Sequence, residues 1–221
     1  MKEIRFKAVL FDLDGTLLDT LEDLANSMNV ILNAHGMNTF PIDDYKEFLG
    51  LGLEALIRCV IPEDKVNDKI VDEFLACMRV EYGKRWAEKT KPYPEIHELL
   101  DELQAMDLKL VVLSNKADDY TQIIVSKLLP NWQFDIVRGL KDDFPPKPDP
   151  ASALQIAHEL KIEPADFLYL GDTDIDMQTA NAAGMYAVGV LWGFRTADEL
   201  NENGAKTLLE SPLQVLDLLN N

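Results

Sequence analysis

The sequence is short of positive charge. Its 221 residues include 21 lysines and arginines against 39 aspartates and glutamates, which gives a formal net charge of −18. Nucleic acids and anionic membranes are bound mainly through basic surfaces, so this balance argues against both as partners. A small anionic ligand would need a local positive site to overcome the repulsion of the whole chain.

Cysteines and long apolar runs are also scarce. Cys59 and Cys77 have no metal-binding or redox spacing, and we expect both thiols to be reduced and buried in helices. The apolar run 8–11 is too short for a signal peptide, and no segment approaches the length of a membrane span. These absences favour a cytoplasmic protein, and they leave a monomer and a homodimer equally open.

One short stretch near the beginning of the chain stands out. The uncharged residues 8–11 are typical of a strand buried on both faces of a parallel sheet, and Asp12-Leu13-Asp14-Gly15-Thr16 follows at once. In an extended backbone Asp12 and Asp14 point to the same side. Two carboxylates at the end of a buried strand are costly without a cation or a catalytic purpose. An Asp-Gly turn is the ordinary explanation, so the rest of the chain has to decide.

The remaining pattern divides the chain into two parts. Apolar residues at helical spacing predict helices throughout residues 18–89. From residue 93 helices alternate with strands, which are predicted at 108–113, 134–137, 167–170 and 185–190. This alternation predicts an α/β, doubly wound (Rossmann-like) parallel-sheet core made of 1–17 and 90–221. Residues 18–89 would then form a small α-helical cap, with hinges near Leu17 and 84–92.

Polar side chains follow several of the later strands. Ser114 and Asn115 come after the second strand, Lys147 lies in a proline-rich loop, and Asp172 and Asp176 follow the fourth. Each has an ordinary explanation on its own, as a helix cap or a solvated charge. Because ligands of doubly wound sheets bind at the carboxyl ends of the strands, we expect these residues to share one site.

Taken together, these motifs resemble the haloacid dehalogenase superfamily. They occur in the order typical of that family, and the similarity covers nearly the whole chain, including the position of the cap. The resemblance implies a Mg²⁺-dependent phosphatase with a haloacid dehalogenase-type core. A small phosphate ester is the partner it implies. The motifs are Asp12-x-Asp14-Gly15-Thr16, Ser114, Lys147 and Gly171-Asp172-x-x-x-Asp176.

The chemistry of these residues suits that reaction. Asp12 is placed to be a nucleophile that forms an aspartyl-phosphate, and Asp14 to act first as general acid and then as general base. A divalent cation near Asp12 would favour its carboxylate form and so separate the roles of the pair. Lys147 would hold a phosphate oxygen and offset developing charge. We expect phosphate contacts from Thr16, Ser114, Asn115 and Lys147.

Oxygen ligands at the strand ends predict Mg²⁺ as the cofactor. Asp12 and Asp172 would bind the ion through their carboxylates, and Asp176 would support the metal shell through water. By resemblance, Asp14 binds the metal through its backbone carbonyl, which leaves its side chain free to carry a proton. A cation of this kind, with Lys147, would supply the local positive site that an acidic protein needs for an anionic substrate.

Three details resemble phosphoglycolate phosphatases: Ser114-Asn115-Lys116, Gly50-Leu51-Gly52 and residues 189–200. We therefore expect a phosphoglycolate phosphatase-like enzyme. Similar caps leave a β-phosphoglucomutase-like phosphomutase, a pyrophosphatase and a nucleotidase open. A non-catalytic Mg²⁺-dependent phosphometabolite-binding protein is a further alternative, against which the intact Asp12 and Asp14 pair argues.

Substrate selection is expected to reside in the cap, because a core that binds only phosphate cannot discriminate among monoesters. Arg58, Lys84 and Arg85 are cap or hinge cations that could meet a substrate carboxylate. Solvated surface charge is the ordinary explanation for each of them.

Overall fold

The computed structural model describes residues 6–141 and 143–220. Its strands are β1 Ala8–Phe11, β2 Leu18–Asp19, β3 Lys91–Pro92, β4 Lys109–Ala117, β5 Ile136–Leu140, β6 Phe167–Gly171, β7 Tyr186–Val190 and β8 Thr207–Leu209. Its α-helices are α1 Leu21–Ala34, α2 Tyr45–Phe48, α3 Leu53–Val60, α4 Asp68–Arg85, α5 Ile96–Ala105, α6 Asp118–Leu128, α7 Ala151–Leu160, α8 Asp174–Ala182, α9 Ala197–Glu202 and α10 Val215–Asn220.

Six parallel strands form the main sheet, in the order β5-β4-β1-β6-β7-β8. The central strand β1 has no solvent-exposed residue, which explains why its sequence is uniformly apolar. The strand order reverses at β1, and this is the point where doubly wound sheets bind their ligands. The predicted α/β class is confirmed.

Strand β4 is longer than the sequence pattern indicates. We predicted an end at Leu113, but the strand continues to Ala117, where it pairs with Leu140 of β5 after a register shift. The polar residues that suggested a loop, Ser114 and Asn115, are buried in this extension. The next strand, β5, is correspondingly shifted toward the carboxyl end from the predicted 134–137.

Helices α1 to α4 lie between the two short strands β2 and β3. These strands pair with each other in antiparallel orientation, so the two linkers of the helical segment run side by side. The buried Asp23 strengthens this junction by accepting hydrogen bonds from the backbone N–H groups of Lys89 and Thr90. Residues 18–89 remain our proposal for a cap, and the hinges near Leu17 and at 84–92 remain predictions; the ribbon of β2 and β3 lies next to both.

Both cysteines are free, but Cys59 is exposed and Cys77 is only partly buried, so the prediction of two buried thiols is wrong. The apolar face of α3 is formed by Leu56, Ile57 and Val60, which leaves Cys59 on the solvent side. Within the described ranges, no helix is both long enough and apolar enough to cross a membrane.

Candidate active site

The turn after β1 is shaped by a glycine that touches a carboxylate. The Asp12 N–H donates to the carbonyl of Leu170 in β6, which keeps Asp12 fixed at the strand end. Gly15 then adopts a φ of +87°, and a Cβ placed on it would lie 2.1 Å from Oδ2 of Asp172. Glycine is therefore required here both for the backbone conformation and for the close approach of Asp172.

Three carboxylates meet at this edge of the sheet. Asp12, Asp172 and Asp176 each offer one oxygen, and these oxygens all lie within 4.8 Å of one another. All three residues are buried. The sequence prediction of one shared site at the ends of β1 and β6 is consistent with this arrangement.

The protein holds two of these carboxylates through several hydrogen bonds. Asp172 accepts from the Thr16 hydroxyl at 2.8 Å and from the Phe194 N–H at 2.9 Å. Asp176 accepts from the hydroxyl of Thr173 at 2.6 Å, which completes a capping box at the start of α8. Asp176 thus serves both the helix terminus and the carboxylate cluster.

Lys147 is the cation at the centre of the cluster. Its ammonium lies 2.9 Å from Oδ1 of Asp12 and donates to Oδ1 of Asp176 at 2.7 Å. The side chain of Asn115 fixes the Lys147 backbone by accepting from its N–H at 2.8 Å and donating to its carbonyl at 3.0 Å. A lysine that looks solvated in the sequence is thus buried, with its backbone held by Asn115 and its ammonium held by Asp12 and Asp176.

Asp14 lies outside the carboxylate cluster. Its two side-chain oxygens each accept a hydrogen bond of 2.9 Å from the ammonium of Lys116. The same ammonium lies 4.9 Å from the ring centre of Tyr82 on α4, so Lys116 connects Asp14 to the helical segment. No catalytic or binding role was predicted for Lys116 from the sequence. The alternation of side chains along β4 places Lys116 on the same side as Ser114, but this signal requires that the strand continue past Leu113, which was not predicted.

The remaining predicted site residues lie at the same edge. Ser114 lines the cavity next to Asp12 and Asp14, and its hydroxyl accepts from the Lys116 N–H at 3.2 Å. The Thr16 hydroxyl is turned toward Asp172, and the Asn115 amide toward the Lys147 loop. The phosphate contacts expected of Thr16, Ser114 and Asn115 remain predictions.

The cluster carries more negative than positive charge. Burial raises the pKa of Asp12 to about 7; the Lys147 ammonium opposes this rise, and the charge of Asp176 adds to it. Burial and the neighbouring carboxylates also raise the pKa of Asp172 well above its usual range. The buried Oδ1 of Asp12 is paired with the Lys147 ammonium at 2.9 Å. Three clustered carboxylates around one ammonium still leave an excess of negative charge that fits a divalent cation, and the all-oxygen donor set fits Mg²⁺.

This charge imbalance predicts a pH-dependent effect of Mg²⁺ on stability. An aspartate in the unfolded chain releases its proton near pH 4, whereas Asp12 in the folded, metal-free protein holds its proton up to about pH 7. The folded state therefore binds more protons in this window, and stability falls as the pH rises through it. We expect Mg²⁺ at ~100 times its Kd to raise Tm by about 5–10 °C at pH 8.

The gain in Tm should be smaller at pH 5.5, because protons then compete with the ion for Asp12. Differential scanning fluorimetry with MgCl₂ would measure both gains. The control is NaCl at the same ionic strength, which screens surface charge without filling the cluster. Equal gains at the two pH values would contradict this account of the cluster.

A cavity of about 510 Å³ opens beside Asp12 and Asp14, between the ends of β1 and β4 and the helices α3 and α4. Hydrogen bonds hold the helical segment over this cavity. Asn115 donates to the carbonyl of Gly50 at 3.0 Å, and Arg195 donates to that of Leu49 at 2.8 Å. The Tyr120 hydroxyl donates to the carbonyl of Arg79 at 2.7 Å. These contacts join the helical segment to the α/β core beside the cavity.

Comparison with known proteins identifies the family. The family model of haloacid dehalogenase-like hydrolases matches residues 9–190, which include the carboxylates, Lys147 and the helical segment. The chain belongs to this family. The predicted resemblance is therefore confirmed for most of this hydrolase.

Individual relatives narrow the class to phosphatases. A phosphoglycolate phosphatase of Aquifex aeolicus (strain VF5) is 32% identical to this hydrolase, over 97% of each chain. One of Nitrosospira multiformis is 31% identical over 96% of this chain and 95% of the relative. A crystal structure from Lactobacillus delbrueckii subsp. bulgaricus, provisionally named a phosphoglycolate phosphatase, superposes with a TM-score of 0.91. The two sequences are 30% identical, and the superposition covers 98% of this chain and 99% of the Lactobacillus chain. The hydrolase is accordingly a phosphatase, as predicted.

Proposed function

We propose that this hydrolase cleaves a phosphate monoester of a small metabolite through a phosphorylated Asp12, with Mg²⁺ as its cofactor. The observation that carries the proposal is the position of Asp12. It directly follows the central strand, borders the cavity, and lies 2.9 Å from Lys147 and within 4.8 Å of two further carboxylates. A nucleophile, a cation for phosphate and a metal-binding carboxylate set thus meet at one point.

The reaction has two steps that use Asp12 and Asp14 differently. In the first, an Asp12 oxygen attacks phosphorus, the bond from phosphorus to the ester oxygen breaks, and Asp14 gives a proton to the departing alcohol. In the second, Asp14 takes a proton from water, whose oxygen attacks phosphorus. Inorganic phosphate then leaves, and the Asp12 carboxylate is restored. Lys116 is a positioning residue for Asp14, because it holds both oxygens of that carboxylate.

The carboxylates of Asp12 and Asp172 would hold the Mg²⁺ ion. When bound, the ion supplies positive charge that screens the phosphate oxygens from these carboxylates. Both oxygens of Asp176 already accept hydrogen bonds, from Lys147 and Thr173, so Asp176 would orient Lys147 and support the metal shell from outside. A metal contact from the Asp14 carbonyl remains a prediction.

Lys147 and Ser114 would bind the phosphoryl group. The Lys147 ammonium is already within hydrogen-bond distance of Asp12, so it can approach an oxygen of a phosphoryl group bonded there. Ser114 borders the same part of the cavity and has a hydroxyl proton to donate. These contacts would offset the charge that develops as the ester bond breaks.

The test is hydrolysis of p-nitrophenyl phosphate in the presence of MgCl₂. We expect steady release of p-nitrophenol, loss of activity after treatment with EDTA, and recovery when excess MgCl₂ is added back. The add-back controls for damage to the protein during chelation. An unmodified, folded protein that releases no phosphate from this ester in MgCl₂ would refute the proposed function.

The names of the relatives make 2-phosphoglycolate the first candidate substrate for this assay. The sequence details in 50–52 and 114–116 favour the same compound. The carboxylate cluster would treat every monoester alike, since it contacts only the phosphoryl group. Selection among alcohols therefore depends on the cavity walls beyond Asp12 and Asp14.

A further inference from the structure

The walls of the cavity away from the reactive carboxylates are mostly apolar, although Glu54 of α3 and Arg79 of α4 also line the cavity. We call the apolar part, which helices α1, α3 and α4 supply, the leaving-group wall. It consists of Leu24, Leu53, Leu56, Leu75, Met78 and Tyr82. The alcohol part of a monoester bound at Asp12 would lie against the leaving-group wall, because the cavity extends from the carboxylates to these helices. An apolar surface of this kind is stabilised by contact with apolar atoms, whereas an ionised group loses its hydration there.

The cations beside the cavity are all engaged by carboxylates, as far as the described lining residues show. Lys116 is bound to both oxygens of Asp14, and Lys141 lies 2.9 Å from an oxygen of Asp118. Arg79 pairs with Asp119. A substrate carboxylate would have to displace one of these protein carboxylates, in a cavity that Asp12, Asp14 and Glu54 also line.

The cap cations that our sequence analysis considered lie elsewhere. Arg58 is paired with Glu54 and Asp68, and Lys84 and Arg85 are both paired with Glu81. Among the residues described as lining the cavity, Arg58, Lys84 and Arg85 are absent. Their ordinary explanation as paired surface charges is therefore the one that fits the structure.

The cavity is large compared with the substrate of the relatives. An apolar cavity of ~150 Å³ holds one benzene ring. The cavity volume of about 510 Å³ accommodates a phosphoryl group and a ring or branched chain together. The two-carbon acid of 2-phosphoglycolate would leave much of the leaving-group wall without a contact.

From these observations we infer that the substrate is the phosphate monoester of an apolar, uncharged alcohol large enough to carry a ring or a branched chain. This inference rests on the proposed phosphatase reaction and specifies its leaving group. It differs from the activity for which the relatives are named, because that substrate carries a second anionic group.

The test compares esters that differ in the alcohol only. Isobutyl phosphate matches the shape of 2-phosphoglycolate but has two methyl groups in place of the carboxylate oxygens, and benzyl phosphate adds a ring. None of the three has an activated leaving group, so differences in kcat/KM report recognition. We expect benzyl phosphate to exceed 2-phosphoglycolate by about 10–100-fold, mainly through KM, and isobutyl phosphate to lie between them.

The same inference can be tested by changing the protein and not the substrate, with a variant that places a cation on the leaving-group wall. Leu75→Lys should lower kcat/KM for benzyl phosphate by about tenfold and raise it for 2-phosphoglycolate, because it offers an unpaired cation to the carboxylate. The matched control is Val80→Lys on the same helix. Val80 is 62% exposed and does not line the cavity, so this variant should change neither value by more than about twofold.

Failure of the inference and failure of the proposed function give different results. Preference of the unmodified protein for 2-phosphoglycolate over both other esters would overturn the inference and leave the phosphatase reaction intact. Hydrolysis of none of the esters, p-nitrophenyl phosphate included, would overturn both. Binding to Asp12→Asn in MgCl₂, followed by isothermal titration calorimetry, provides a readout without turnover. Tighter binding of 2-phosphoglycolate than of benzyl phosphate would also overturn the inference.

Discussion

Replacing Asp12 with asparagine is expected to lower phosphatase turnover by about 10⁴-fold or more. The amide has nearly the same shape as the carboxylate, but it has no charge with which to attack phosphorus. The loss should appear in kcat with p-nitrophenyl phosphate in MgCl₂, since the neighbouring Lys147 and Ser114 still border the site. Turnover within tenfold of the unmodified protein would refute Asp12 as the nucleophile.

The same substitution should not unfold the protein. Burial and the charge of Asp176 raise the pKa of Asp12, which means that the fold disfavours the ionised carboxylate. A neutral side chain of the same shape removes that cost, so we expect Tm in EDTA at pH 8 to stay equal or rise. The matched control is Asp198→Asn on α9, where the carboxylate is exposed. That variant should keep both Tm and turnover.

The main sheet was predictable because the sequence features that indicate its strands and the helices between them are local. Residues 8–11 have no charge and are buried on both faces, and the helices between the strands have clear periodicity. The meeting of Asp12 with Asp172 was also predictable, since parallel neighbours β1 and β6 end at the same edge of the sheet. In these cases strand order and side-chain alternation were sufficient for the prediction.

The partner of Asp14 could not be predicted in the same way. Its contact with Lys116 depends on the continuation of β4 past Leu113, and the polar sequence there is equally typical of a loop. Pairing of Ala117 with Leu140 after a register shift supports the extension. These two residues are distant in the sequence, so the local pattern around 114–117 does not reveal their pairing. The alternation that places Ser114 and Lys116 on one side therefore becomes visible only when the strand is known.

The walls of the cavity were the least predictable part. Helical spacing identifies the apolar positions of α3 and α4, but it does not distinguish a core position from a cavity position. Leu56 and Met78 are buried and also border the cavity, whereas Phe74, one turn from Met78, lies in the core without bordering it. Which apolar residues face a ligand depends on how the helical segment is placed over the sheet. The sequence details alone therefore predict the substrate for which the relatives are named, whereas the inference about an apolar alcohol depends on the shape of the cavity.

Replacing Lys147 with methionine is expected to cost about 3–5 kcal/mol of unfolding free energy and to abolish measurable turnover. Methionine fills a similar volume, but it leaves Asp12 and Asp176 without their buried cation. Removal of one partner of a buried ion pair is much more costly than loss of a surface pair, because the remaining charge has no water to solvate it. Urea denaturation at pH 8 in EDTA would measure the loss of stability, with Lys127→Met on the exposed side of α6 as the control.

The loss of stability in Lys147→Met should also depend on pH. Without the ammonium, which lowers the pKa of Asp12, the folded-state pKa of Asp12 rises further, so the folded protein takes up protons more readily than the unfolded chain. This loss of stability is absent at low pH and grows as the pH rises. The direction is the same as for Asp12 in the metal-free protein, where stability also falls with rising pH. We therefore expect the difference from the unmodified protein to shrink between pH 8 and pH 5.5. A difference that stays constant would mean that Lys147 stabilises the fold by packing and not by its charge.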